Sequence, residues 1–180
     1  MTPVEILNDE YNSILNFLNE KSQPSLSSDL NKHFKKVIIL SSASYFEHEI
    51  QDLLIDFVSK SNKNLLALNF FKKKAISMQY HTYFTWGEKG DPTKPGKNAN
   101  SFFSLFGEDF KKEIEAEIKG DPNLEESVKS FIEIGHLRNI LVHSNFAAYN
   151  IENKTTEEII ELYKKAIPFI DYVHRKLIGA

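Results

Sequence analysis

Apolar side chains return every three or four positions along most of this chain, and strict two-residue alternation is nowhere sustained. Val4, Leu7, Tyr11, Ile14, Leu15 and Leu18 make one stripe of an amphipathic helix. "KSQPSLSS" (21–28) interrupts it, and Asp29 reads as the N-cap of a second helix over about 30–60. Phe34, Val37, Ile38, Tyr45, Leu53, Leu54 and Phe57 give that helix its apolar face, and the small residues "SSAS" (41–44) allow another helix to approach closely. A third helix is expected over about 64–80. "GEKGDPTKPGKNANS" (87–101) holds three glycines and two prolines, so it reads as a long loop. Helices resume at about 102–119 and, after "GDPN" (120–123), at about 124–143. Thr155 with Glu158 is a capping box that opens the last helix, in which Pro168 predicts a kink. The pattern predicts an all-α, up-and-down helical bundle of about six helices with a loop insertion near 87–101, in a single domain over 1–180.

Composition narrows the class. There is no cysteine, which excludes disulfides and thiolate metal sites. The acidic "MTPVEILNDEY" is not a signal peptide, and no apolar run nears the roughly 20 residues that span a bilayer. A soluble, cytoplasmic protein without membrane contact is expected. A net charge of −3 argues against a protein that coats DNA. Residues 29–100, however, carry eleven lysines against seven acids. That excess, which includes Lys72 and Lys73, suits a phosphate backbone or a solvated lysine-rich face.

Three stretches carry candidate chemistry. "FEHEIQD" (46–52) begins like the zinc helix HExxH, but Asp52 stands where the second histidine belongs. A metal-dependent hydrolase built on His48, Glu49 and Asp52 would lose its activity in chelator. "MQYHTYFTW" (78–86) mixes His81 with Tyr80, Tyr83, Phe84 and Trp86, which could stack on bases or anchor the insertion to the body. "HLRNILVHSNF" (136–146) sets Arg138, Asn139 and His143 into an otherwise apolar helix. Asn139 and His143 are four apart and share a face. Arg138 is turned from His143 by roughly 140°, yet a long guanidinium can reach the same cleft. Histidine moves a proton near neutral pH, arginine grips phosphate oxygens in pairs, and asparagine orients either. Together they suit metal-free attack of a ribose 2′-hydroxyl on its neighbouring phosphate.

"LRNILVHSNF" resembles the Arg-polar-x-x-x-His signature of HEPN domains. "SASYFEHEIQDLL" (42–54), with Tyr45, Phe46 and Glu47, is similar to the second-helix pattern of the RiboL-PSP-HEPN-like branch. The resemblance implies a helical bundle that forms a homodimer, with its site at the dimer interface. It implies a metal-independent endoribonuclease without cofactor, acting on RNA such as tRNA or mRNA, in toxin–antitoxin or antiviral defence systems. An antitoxin or defence partner protein would accompany it. On that resemblance Arg138 would stabilise the phosphorane, His143 would act as base or acid, and Asn139 would orient either. Glu47 would hold Arg138 or His143, and His136 and Ser144 would contact RNA; from the charge pattern, Lys72 and Lys73 are expected on its backbone. The family also includes non-catalytic modules that bind a nucleotide, RNA or protein.

Overall fold

The structure, a computed structural model, describes residues 1–61 and 64–179. Helix α1 (Pro3–Glu20) opens on a reciprocal cap: the Thr2 hydroxyl accepts from the Glu5 N–H, and the Glu5 carboxylate accepts from the Thr2 N–H at 2.6 Å. The chain reverses through Ser22, at φ 53°, and α2 (Pro24–Ser61) begins at once. The expected break over 21–28 therefore shrinks to 21–23, and Asp29 lies inside α2 instead of capping it. Pro24 is the reason: at a first helical position its missing N–H is no loss and its φ is already helical.

The helix expected over 64–80 is divided. Asn64 caps α3 (Leu65–Phe70), a π-helical stretch follows (Phe71–Ile76), and α4 (Tyr80–Tyr83) comes after a turn. Tyr80, Phe84 and Trp86 are all buried in one core. Residues two apart face different sides of a helix, so burying Trp86 beside Phe84 requires the helix to stop.

The insertion is also more ordered than its composition suggests. It holds a short antiparallel hairpin, β1 (Gly87–Glu88) with β2 (Asp91–Pro95), where a loop without strands was expected. The Gly96 N–H donates to the Trp86 carbonyl at 2.7 Å and closes the hairpin base. A Cβ at Gly96 would lie 2.0 Å from the Thr85 carbonyl oxygen, so only glycine fits. Next come α5 (Asn100–Phe103), a 3₁₀ turn (Ser104–Phe106) and α6 (Glu108–Gly120), again two helices where one was expected. Gly107, at φ 109°, separates them.

Asp121 caps α7 (Pro122–His143) by accepting from the Asn123 and Leu124 N–H groups. The box of Thr155 and Glu158 caps α8 (Thr156–Ile178) as the sequence predicts. Pro168 lies inside α8, and the next N–H, that of Phe169, donates to the buried Ser127 Oγ at 2.8 Å. The protein is all-α, 77% helical with eight helices among the described residues. The two beyond the six expected arise from the divisions at 71–79 and 104–107.

Helix α8 is the hub. It packs on α7 and α2, and α1 packs on α2. Phe46 of α2, Phe131 of α7 and Phe169 and Tyr163 of α8 meet with ring centroids 4.8 to 5.5 Å apart. The Ser127–Phe169 bond and the Lys165–Glu126 pair at 3.1 Å join the start of α7 to the middle of α8, while Lys154, just before α8, pairs with Glu133 further along α7, so these helices run antiparallel. The Tyr163 hydroxyl donates to Thr2 Oγ1 at 2.7 Å, tying α1 to the hub. Lys176 holds Glu113 at 3.1 Å and Glu117 at 2.5 Å, fastening α6 to the end of α8. No helix among the described residues is long and apolar enough to cross a membrane.

Candidate active site

Where α2 meets α7, a cleft of about 340 Å³ opens beside the Phe46–Phe131 contact. On α7 the lining residues Phe131, Gly135, Arg138, Asn139 and Val142 recur at the spacing of one helical face. Ala43, Phe46 and Glu47 answer from α2. Tyr80, His81 and Trp86 close the third side, and His143 stands at the end. Four residues singled out in the sequence (Arg138, Asn139, His143 and Glu47) thus share one cleft.

The polar rim is internally arranged. Arg138 Nη1 donates to Asn139 Oδ1 at 3.2 Å, which leaves the Asn139 amide hydrogens for a ligand. Of the two candidate acids for Arg138, neither pairs with it. Glu133 pairs with Lys154 at 2.7 Å. Glu47 accepts from Gln51 Nε2 at 3.1 Å, one turn along α2. Among the described residues no ion pair joins Glu47 to Arg138 or His143, so the expected clamp is not formed and Asn139 is the guanidinium's partner. The Glu47 carboxylate keeps acceptor capacity towards the cleft.

Tyr80 lies near enough to both Glu47 and Arg138 to feel their charges. Burial pushes its phenol far up; the negative charge of Glu47 adds to the effect, and the positive charge of Arg138 opposes it. Its ring is fixed against Phe84 and Trp86 at centroid distances of 5.9 and 6.0 Å. The hydroxyl makes no hydrogen bond among the described residues and remains a protonated donor at the cleft wall.

Gly135 lets Trp86 into the cleft wall. A Cβ there would lie 1.9 Å from the Trp86 ring, so the indole sits directly on the α7 backbone, one turn before Arg138. The indole N–H donates to the His81 carbonyl at 3.1 Å. Neither Gly135 nor the seat of Trp86 was found from the sequence. The available signal was a glycine inside a helical stripe that otherwise carries large side chains.

His143 is exposed and is the last residue of α7; the Ser144 N–H donates to the Ile140 carbonyl at 3.0 Å. The loop beyond is held from beneath by Lys36, only 1% exposed, whose ammonium donates to the carbonyls of Phe146 at 2.7 Å and Ala147 at 3.4 Å and lies over the Phe146 ring. Lys35 donates to the Ile151 carbonyl at 3.2 Å. The missed clue was positional: Lys36 falls in register with the buried Ile39, Ala43, Phe46 and Ile50.

The remaining candidates lie apart. His136 is 5% exposed and its Nε2 is 3.2 Å from the Thr93 carbonyl, so it pins the hairpin to α7 and is closed to RNA. Ser144 is half-buried just past the cleft lining. Lys72 and Lys73 are exposed on the π-helical stretch, outside the lining. His48 and Asp52 pair with each other at 3.4 Å on an exposed face, and no third ligand joins them among the described residues.

The family model RiboL-PSP-HEPN matches residues 5–179. No curated protein and no solved structure gives a significant match.

Proposed function

The chain belongs to the RiboL-PSP-HEPN family, a kind of nuclease or RNA-binding module, and from that premise we propose that it is a metal-independent endoribonuclease. One observation carries the reading: Arg138, Asn139 and His143 line a single cleft, with the guanidinium unpaired by any acid among the described residues. A buried cation would need a partner, whereas one at a cleft rim awaits an anion.

The reaction follows from those groups. His143 takes the proton of a ribose 2′-hydroxyl, and the freed oxygen bonds to the adjacent phosphorus. The bond from phosphorus to the 5′-oxygen breaks, and that oxygen is protonated as it leaves. The products are a 2′,3′-cyclic phosphate and a 5′-hydroxyl. Arg138 grips the non-bridging oxygens as charge builds on them, and the Asn139 amide donates to the same group.

One histidine cannot both accept and donate protons within a single concerted step. A homodimer supplies a second one, with the two clefts facing each other. Val142 and Phe146 support that arrangement, since both are exposed apolar side chains flanking His143. A variant kept monomeric but folded should be inactive; full activity in a monomer, measured beside its sedimentation, would show that each cleft works alone. The proposed setting is toxin–antitoxin or antiviral defence with a neutralising partner protein. Growth arrest on expression, relieved by Arg138→Ala, is the expected sign.

The deciding experiment incubates the protein with total RNA and tRNA in EDTA, beside Arg138→Ala and His143→Ala. Each substitution should lower cleavage by about 10²- to 10⁴-fold. A deoxyribose at the scissile nucleotide should block cutting. Cleavage that survives both substitutions would refute the assignment. Tight RNA binding without turnover would instead favour a non-catalytic binding module.

A further inference from the structure

The cleft holds more than the proposed reaction uses. Phe46, Trp86 and Phe131 give its lining an aromatic character, and Glu47 and Tyr80 line it too, close enough for the carboxylate's charge to act on the phenol. Glu47 is committed to Gln51 through one oxygen only, and the Tyr80 hydroxyl has no protein partner among the described residues. A carboxylate with one oxygen free and a hydroxyl without a partner, in a cleft lined by aromatic rings, is the layout of a site that reads the edge of a flat heterocycle. At about 340 Å³ the space lies within the range of small-molecule sites, roughly 300–1,000 Å³, and cannot admit a duplex.

The edge it would read can be worked out from donors and acceptors. A carboxylate accepts two hydrogen bonds side by side. Guanine alone among the four RNA bases offers two adjacent donors on its pairing edge, the N1–H and the N2 amine, next to the O6 acceptor. Adenine and cytosine each place a ring acceptor beside their amine, which would face the Glu47 oxygens unfavourably. Uracil has one donor between two acceptors. A phenol donor beside the carboxylate completes the guanine pattern by matching O6.

We propose that Glu47 and Tyr80 form a guanine-reading subsite, so that the cleft selects unpaired RNA with guanine next to the phosphate held by Arg138. This rests on the reading of the cleft as an RNA site, and it turns Glu47 from a clamp on Arg138 into a specificity residue. Tyr80 serves as donor to O6, in keeping with a phenol that stays protonated. Because the base must leave any stack to enter, the substrate is single-stranded or looped RNA.

The test is read by binding, so it does not depend on turnover. Guanosine 3′- and 5′-monophosphates, and their inosine, adenosine, cytidine and uridine counterparts, are titrated calorimetrically into the wild type, Glu47→Gln and Tyr80→Phe. One guanosine form should bind roughly 10–100-fold tighter than its adenosine, cytidine and uridine counterparts. Inosine, which lacks the N2 amine, should fall between. Glu47→Gln should erase the preference, Tyr80→Phe should weaken it several-fold, and both should retain the wild-type circular dichroism. Equal binding of all bases, absence of guanosine binding, or a preference that survives Glu47→Gln would each overturn the proposal. Loss of cleavage in Arg138→Ala with no base preference would leave the nuclease reading standing and sink only this one.

Discussion

Gly135 is the residue on which the site's geometry turns. A single methyl group there meets the Trp86 ring at 1.9 Å, against a backbone that cannot retreat from its own helix. Gly135→Ala should therefore destabilise the fold by about 1–3 kcal/mol as an overpacking change, or roughly 2–12 °C in midpoint for a chain of this size, measured by thermal circular dichroism. An unchanged midpoint would mean the indole is not seated there. Asn139 and His143 were legible in the sequence because a spacing of four sets them on one helical face, and Arg138 through the reach of its guanidinium and the family resemblance. Glu47 was legible only through its resemblance to a family pattern. Gly135, Trp86 and Tyr80 were not read together, because two come from a distant segment and their meeting is a product of packing, which has no sequence period. His136 shows the opposite error: it sits beside the motif in sequence, yet its ring turns to Thr93.

At the level of elements, the long helices could be read from periodicity and the connections could not. Helix α8 was placed by its capping box and α7 by the "GDPN" stop before it, both local devices. Residues 64–106 defeated the same method, because burial of Trp86 beside Phe84 overrides local helix preference there. Lys36 gives the loop after α7 a role that composition would not suggest. Its buried ammonium satisfies two carbonyls of that loop, just beyond His143. Lys36→Met keeps the apolar stem and removes the donor. The expected result is faster amide exchange confined to about 144–151, with α2 and α8 still protected. Uniform loosening of the whole chain would show instead that Lys36 serves the core.

Over the whole molecule, the buried tyrosines set an alkaline limit. Burial raises the Tyr163 hydroxyl to about 12, with its bond to Thr2 opposing, and it raises Tyr80 and Tyr172 further. In the unfolded chain these phenols ionise near 10. A raised native value adds stability that is fully present below pH 10 and is lost as the pH climbs from 10 through the native value. The melting temperature should accordingly fall between pH 10 and about 12, and the fall should be shallower in Tyr163→Phe. Identical slopes in the two proteins would rule Tyr163 out as a contributor. The acid side behaves in reverse. Bonds from Lys176 and Tyr172 hold the Glu117 carboxyl below its ordinary value, so its contribution disappears as the pH drops through that lowered value. Trp86 is the only tryptophan in the chain, and it lines the cleft. Tryptophan emission, excited selectively to the red of the seven tyrosines, therefore originates at one place, within reach of any base that enters. Every nucleotide that occupies the cleft should announce itself by quenching or shifting that emission, and the unmodified protein is its own optical sensor.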